Sequence, residues 1–233
     1  MSSAQGKIFN SPPYHLRSDL NVCNVKLGAK TLKNDDLLAF YTLFTSPIPD
    51  DKDHRTFIEA TETGWWYTSK LSNQTRIVVY HTDDTNPTCK RARRKEGFLE
   101  LLNTDTLHIS QIIERNDYQP HSDSKFPHCT AACTSYLEPS VDENMCWIAV
   151  GDAAMAFDPL SSQGMITALR MGSSVGKMIG RKLNFVDSKE NLAEPAAGGI
   201  GVLFLSVRED YERKKKYFYR QARFDGDFWM ARR

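Results

Sequence analysis

The chain has 233 residues, 30 of them Lys or Arg and 29 Asp or Glu, for a formal net charge of +1; 40% are hydrophobic and 25% charged. That is enough for one large or two small domains whose core needs no metal or disulfide staple. The charge balance excludes a dedicated nucleic-acid binder, and the composition excludes collagen-like, coiled-coil and grossly disordered classes.

Residues 1–34 are polar, with Ser11-Pro12-Pro13 early on, and are expected to form an irregular N-terminal segment. No apolar run of the signal-peptide kind follows Met1, and the longest apolar stretch, Ala196 to Leu205, is about half of what spans a bilayer. The expectation is a soluble cytoplasmic protein without membrane contact. Four strand-like segments follow: Leu37 to Phe44, Arg55 to Thr61, Gly64 to Leu71 and Thr75 to Thr82. Pro47, Pro49 and Asp50-Asp51, then Thr63-Gly64, then Ser72-Asn73 supply turns, and such short spacings predict an antiparallel meander. In Gly64 to Leu71, alternation puts Trp65 and Trp66 on opposite faces.

Pro87 to Asn103 reads as one helix, with Phe98, Leu101 and Leu102 at i, i+3 and i+4. Leu107 to Ile113 fits a short helix or a strand, residues 117–128 a polar loop, and Cys129 to Leu137 a strand. Met145 to Val150 is an apolar run of the buried parallel-strand kind. From Gln163 a long helix runs to about Leu183, with Met165, Ala168, Leu169, Gly172, Val175, Gly176 and Ile179 as its expected core face. Ala168, Gly172, Gly176 and Gly180 form a small-residue stripe on which another backbone is expected to lie. Residues 201–230 read as helical and rich in aromatic side chains.

Five cysteines (Cys23, Cys89, Cys129, Cys133, Cys146) are scattered, and without a second ligand pair at zinc spacing no metal site is expected. Two or three of them are expected to be buried thiols. The runs Lys90-Arg91-Ala92-Arg93-Arg94-Lys95 and Arg213-Lys214-Lys215-Lys216 read as solvated helix faces in a neutral chain.

The stretch that carries chemistry is Trp147-Ile148-Ala149-Val150-Gly151-Asp152-Ala153-Ala154, continuing to Asp158-Pro159-Leu160-Ser161-Ser162-Gln163-Gly164-Met165. An apolar run ends in Gly-Asp, a loop follows, and a Ser-Ser-Gln-Gly turn opens a helix. A carboxylate at a strand's C-terminal end lies where ligands bind in α/β sheets, and it accepts hydrogen bonds from hydroxyls. The first turn of the next helix offers free N–H groups and partial positive charge to an electron-rich group. Gly164 leaves room for a planar ligand to approach the backbone.

This string resembles the second flavin-binding motif of FAD-dependent monooxygenases with the para-hydroxybenzoate-hydroxylase-like fold, in the branch of tryptophan-halogenase-like enzymes and related hydroxylases. Gly64-Trp65-Trp66-Tyr67-Thr68-Ser69 is similar to a strand of that branch's substrate sheet, and Arg220 to Arg233 to its C-terminal helix. The resemblance implies an α/β (α+β) fold, the C-terminal part of an FAD/NAD(P)-binding flavoprotein. Its parts would be an antiparallel substrate-type sheet with helices (35–137), a remnant of the FAD-binding domain (138–185) and a C-terminal helical segment (186–233). It implies that Asp152 holds a ribityl hydroxyl of FAD, with Gly151 permitting the approach. Pro159 would lie beside the isoalloxazine ring, and N–H groups around Ser162, Gln163 and Gly164 would face its N1–C2=O edge. Trp66 is taken as the tryptophan facing substrate. An organic substrate, O₂ and NAD(P)H are implied as reaction partners; no catalytic residue is singled out.

The family's Gly-x-Gly-x-x-Gly fingerprint is missing, since Gly199-Ile200-Gly201 has neither a third glycine nor a preceding strand. A C-terminal piece of the fold, truncated or split, is therefore expected, with an uncovered sheet edge that a partner chain could cover. Charge-assisted pyrophosphate contacts contribute roughly 1.5–3 kcal/mol each, so losing three weakens FAD binding at least about a thousandfold. Trp65-Trp66-Tyr67-Thr68-Ser69-Lys70 also departs from the halogenase Trp-x-Trp-x-Ile-Pro, which favours hydroxylation. Two functions follow: an FAD-dependent monooxygenase, or a non-catalytic remnant that keeps the fold as an interaction module.

Overall fold

Alternating side chains with β-branched residues build the first sheet, β2 (Leu37–Thr45), β3 (Phe57–Thr61), β4 (Gly64–Lys70) and β5 (Thr75–Asp83). The structure is a computed structural model and describes residues 28–47, 51–72, 75–121, 127–141, 147–184 and 196–233. All four expected strands are present and antiparallel, but their order is β3-β4-β5-β2 rather than a sequential meander. The two nine-residue strands pair along their full length, from Leu37 opposite Asp83 to Thr45 opposite Thr75. Pairing the longest strands makes the most ladder hydrogen bonds, which explains the order. Two short strands, β6 (Gln119–Pro120) and β7 (His128–Ala131), extend β2 on its other side.

The two faces of this sheet are covered by different parts of the chain. Phe40, Phe44, Trp66, Val78 and Tyr80 pack against Cys89, Phe98, Leu101, Leu102 and Ile109. Leu37 and Trp65 pack against Tyr219, Phe228 and Trp229. The covering of the first face is three helices, α1 (Pro87–Ala92), α2 (Lys95–Asp105) and α3 (His108–Arg115). The single helix expected over 87–103 breaks at Arg93-Arg94, so sharply that a Cβ on Gly97 would sit 2.3 Å from the Arg91 carbonyl oxygen. The Asn86 side chain caps α1 by accepting from the Thr88 N–H at 3.0 Å. Glu59, reaching from β3, accepts the N–H groups of Leu107 (2.6 Å) and Ile109 (3.0 Å) and starts α3. Of the two readings for 107–113, helix is the one realised.

A second, smaller sheet has the order β1-β8-β9, with β1 (Lys30–Lys33), β8 (Ser135–Glu138) and β9 (Met155–Ala156). β1 falls in the segment expected to be irregular; pairing with β8 from Lys30–Glu138 to Lys33–Ser135 gives it order. Residues 1–27 of that segment lie outside the described residues. The single strand expected over Cys129 to Leu137 is two, β7 in the first sheet and β8 in the second. The expected parallel strand at Met145 to Val150 is not formed. Met145 and Cys146 lie outside the described residues, and Trp147 to Val150 make one isolated antiparallel bridge, Ile148 to Val141. No described strand lies parallel to this run to complete a ladder.

The long helix α4 (Gly164–Asn184) and α5 (Ala196–Arg220) pack over the small sheet, where Met171 and Val175 meet Ile200 and Phe204. The expected core face of α4 is corrected: Met165 is 84% exposed and Leu169 75%. Nothing lies within 4 Å of a Cβ placed on Gly172, Gly176 or Gly180, so no described backbone covers the three glycines of the small-residue stripe; only at Ala168 does another backbone, that of Gly151, come close. The helical period was right, but only Val175 of the expected residues is buried, because α5 and the small sheet pack on another side of the helix. After α5 the chain turns into α6 (Asp227–Met230). The Trp229 indole N–H donates to the Thr61 carbonyl at 2.8 Å, and Arg232 pairs with Asp83 at 2.9 Å. Among the described residues no helix is long and apolar enough to cross a membrane. Cys89, Cys129 and Cys133 are free thiols, and Cys89 is the buried one; Cys23 and Cys146 lie outside the described residues.

Between the sheet and the C-terminal helices sits His81, 4% exposed, its ring stacked on Trp65 with centroids 3.6 Å apart. Burial pushes its imidazole down to about 3, and a backbone hydrogen bond to Trp65 offsets this only in part. Since the folded value lies below the ordinary 6.5, unfolding takes up a proton at intermediate pH. Stability is then full above pH 6.5 and falls toward pH 3, at roughly 1.4 kcal/mol per pH unit for one proton. Urea unfolding at pH 7.5 and 5.5 should show this slope in the wild type and lose it in His81→Phe. Equal slopes would mean that the fold accepts an imidazolium there.

Candidate functional site

Residues 150–164 connect the bridge at Ile148 to helix α4. Val150 is extended, and Gly151 follows at φ +59°. A Cβ on Gly151 would lie 2.9 Å from the Cβ of Ala168, so glycine is what lets this connection close onto α4. A 3₁₀ turn spans Gly151–Ala153, β9 pairs with β8, and the Phe157 ring stacks on Tyr211 at 4.2 Å between centroids. A second 3₁₀ turn, Pro159–Ser161, is capped by the Asp158 side chain, which accepts from the Leu160 N–H. Ser162 then takes a left-handed conformation, φ +51°, costing about 1–2 kcal/mol for a non-glycine residue, and α4 starts at Gly164.

The sequence-predicted residues Gly151, Asp152, Pro159, Ser162, Gln163 and Gly164 all lie on this connection. Gly151 is buried, Gln163 and Gly164 are half-buried, and Asp152, Pro159 and Ser162 are exposed. An Asp152 carboxylate oxygen lies 3.9 Å from where a Gly164 Cβ would stand, so the carboxylate and the N-terminus of α4 share one patch of surface. Gln163 accepts from the Lys214 ammonium at 3.1 Å through its carbonyl, while its buried NH₂ donor has no partner among the described residues. It also lines a cleft of about 360 Å³ between α4 and α5, together with Ile166, Thr167, Arg170, Asp210 and Lys214. Trp66 is not in this group. It has 0% exposure, with Tyr80 stacked on it at 4.6 Å and Phe98 edge-on at 5.1 Å. The expectation that Trp66 faces substrate is corrected: helices α1–α3 cover the face it occupies.

The residue that sequence reasoning passed over is Asp158, which is 0% exposed. One carboxylate oxygen accepts from the Leu160 N–H (2.9 Å) and the other from the Tyr219 hydroxyl (2.6 Å). Its backbone N–H donates to the Tyr211 oxygen at 3.0 Å, and its carbonyl accepts from the Ser161 hydroxyl at 2.9 Å. The Tyr219 oxygen in turn accepts from the Trp65 indole N–H at 3.3 Å. Burial pushes the Asp158 carboxyl up, held back by the Tyr219 hydroxyl and Leu160 N–H. Burial, then the Asp158 charge, pushes Tyr219 well above the ordinary phenol range. Behind Tyr211 stand Thr134 (2.6 Å) and Lys215, which pairs with Asp35 at 2.9 Å. Burial pushes the Asp35 carboxyl up, but the charge and hydrogen bond of Lys215 outweigh it and hold it below the ordinary carboxylate value. The signal that could have found this network is Tyr211, Lys215 and Tyr219, at i, i+4 and i+8 on one face of α5.

No family model matches the chain. A putative FAD-dependent oxidoreductase, LodB of Marinomonas mediterranea, is 30% identical over 140 residues, 60% of this chain and 36% of the relative. The flavin-dependent halogenase CmlS superposes with a TM-score of 0.66 at 19% identity, over 91% of this chain and 38% of CmlS. The peptidyl tryptophan dihydroxylase QhpG gives 0.56 at 18% identity, over 86% of this chain and 44% of QhpG. The fold is that of the flavin-dependent halogenases and hydroxylases. The resemblance read from residues 147–169 is thereby borne out at the level of fold, with mixed helices and antiparallel sheets as expected. The chain spans between a third and a half of the length of these three proteins.

Proposed function

We propose that this chain carries the flavin-holding loop and substrate-type sheet of an FAD-dependent monooxygenase, with hydroxylation of an organic substrate as the chemistry. The observation that carries this reading is the shared surface of Asp152 and the N-terminus of α4, in a fold common to flavin-dependent enzymes. The residues fit the cofactor: an exposed carboxylate suits a ribityl hydroxyl, and the N–H groups of Gln163 and Gly164 at the start of α4 suit the electron-rich edge of the ring, the Ser162 N–H being already donated to the Pro159 carbonyl at 3.0 Å. Gln163, with a buried amide donor lacking a partner among the described residues, adds a further group for a polar ligand. Gly151 lets the loop close onto α4 and keeps Asp152 and Gly164 side by side. Bound FAD would supply the redox chemistry with NAD(P)H and O₂, while the protein binds, orients and shields. Preorganised N–H donors at the helix terminus stabilise charge that grows on that edge on reduction.

A second reading, a non-catalytic interaction module, is favoured by the exposed apolar side of α4, Met165, Ile166 and Leu169. A partner polypeptide covering that side would complete the fold, in place of the sheet edge expected from the sequence. A flavin fluorescence titration separates the two. The monooxygenase reading expects saturable FAD quenching with an affinity that falls about tenfold or more in Asp152→Ala, while the unfolding free energy stays within roughly 0.5 kcal/mol because Asp152 is exposed. Absence of saturable binding in the wild type would leave the module.

A further inference from the structure

Every polar group of Asp158 is engaged, and its partners fall into two sets. The Leu160 N–H and Ser161 hydroxyl belong to the loop itself. Tyr219 and Tyr211 belong to α5, 61 and 53 residues further along the chain. Tyr219 is fully buried and carries a second hydrogen bond, from Trp65 on β4. Loop, C-terminal helix and sheet therefore meet at a single carboxylate. Ser162, in its left-handed conformation, comes directly after the turn that this carboxylate caps.

We propose that Tyr219, assisted by Tyr211, is a positioning residue for the 158–164 loop: it grips Asp158 from the C-terminal helix and so fixes where Ser162, Gln163 and Gly164 stand. The inference rests on the flavin reading for its ligand, but the grip itself does not. Free to turn, the Asp158 side chain would release the Leu160 N–H, and the left-handed step at Ser162 would lose the turn that supports it. The C-terminal helix is then part of the binding apparatus without touching the ligand, and the Trp65 indole holds the tyrosine oxygen in line.

The test is Tyr219→Phe, which removes one oxygen and keeps the ring among Phe228 and Trp229. Amide exchange at Leu160 and Ser161 should accelerate about ten- to a hundredfold, the loss of one hydrogen bond to a carboxylate, with no acceleration at Leu101 in α2. The FAD dissociation constant should rise by a similar factor. In an Asp158→Asn background the Tyr219→Phe change should add little to that constant, since the tyrosine acts through Asp158. Unchanged exchange at Leu160 and Ser161 overturns the grip, and so does full additivity of the two variants in FAD affinity. If the wild type binds no flavin, the reading of the site fails, and the exchange comparison alone upholds or overturns the grip.

Discussion

Replacing Trp66 by alanine lowers the unfolding free energy by about 3–5 kcal/mol, the cost of a cavity the size of a fully buried indole. The ring has 0% exposure, lies on Tyr80 and touches Phe98, so the surrounding helices cannot fill the space without leaving their own seats. Its indole N–H is buried without a partner among the described residues, which makes Trp66→Phe informative. Phenylalanine keeps most of the apolar contact and removes an unpaired donor that costs about 1–3 kcal/mol, so this variant should stay within roughly 1.5 kcal/mol of the wild type. Denaturant midpoints of the three proteins decide the matter. An alanine variant with unaltered stability and altered ligand binding would return Trp66 to the substrate-facing role its sequence suggests.

The second large effect is expected at Asp51. The Arg76 side chain is 0% exposed and its guanidinium meets the Asp51 carboxylate at 3.0 Å, while the Tyr118 hydroxyl donates to the same oxygen at 2.7 Å. Two of the guanidinium nitrogens have no partner among the described residues, so the arginine depends on Asp51 and the Asp53 carbonyl at 2.8 Å. Asp51→Ala leaves a buried cation uncompensated and should cost about 3–5 kcal/mol, whereas adding Arg76→Met should recover much of the loss. Burial pushes the Asp51 carboxyl up, but hydrogen bonds from Tyr118, the Asp53 N–H and Arg76 outweigh it and hold the group below the ordinary 3.8. A carboxyl lowered in the fold stabilises above its unfolded value, and that contribution disappears as pH falls through the folded value. Stability measured from pH 5 to pH 2 should therefore drop less in the Asp51→Ala, Arg76→Met double variant than in the wild type. A double variant no more stable than Asp51→Ala would show that the ion pair itself holds this corner.

The strands were legible because their side chains alternate: Thr75 to Asp83 could not be read as a helix. Their order was not, because it depends on β2 finding β5 across intervening strands, and no local pattern records that choice. Helix α4 announced itself by period, yet period says which residues share a side and not which side is covered. Met165 and Leu169 fit a core face and stand exposed. At the site, Gly151, Asp152 and Gly164 were visible from their chemistry and their place at a turn. Asp158 stood in the same string and went unassigned, since its meaning lies with tyrosines more than fifty residues away. Trp66 misled because two adjacent tryptophans look alike until the helices over one face are known.

Residues 219–232 hold segments far behind them: Trp229 ties to Thr61, Arg232 to Asp83, and Tyr219 to Asp158. During synthesis the sheet's second face, met before then only by Ala132, Cys133 and Leu160 among the described residues, lacks its aromatic cover until those residues leave the ribosome. Residues 37–83 must therefore wait, half clothed, for about another 150 amino acids, long enough at typical translation speeds for chaperones to find the bare surface. Completion of this sheet is thus timed by residues 219–232, and a synonymous change that slows translation ahead of them would prolong its most aggregation-prone interval.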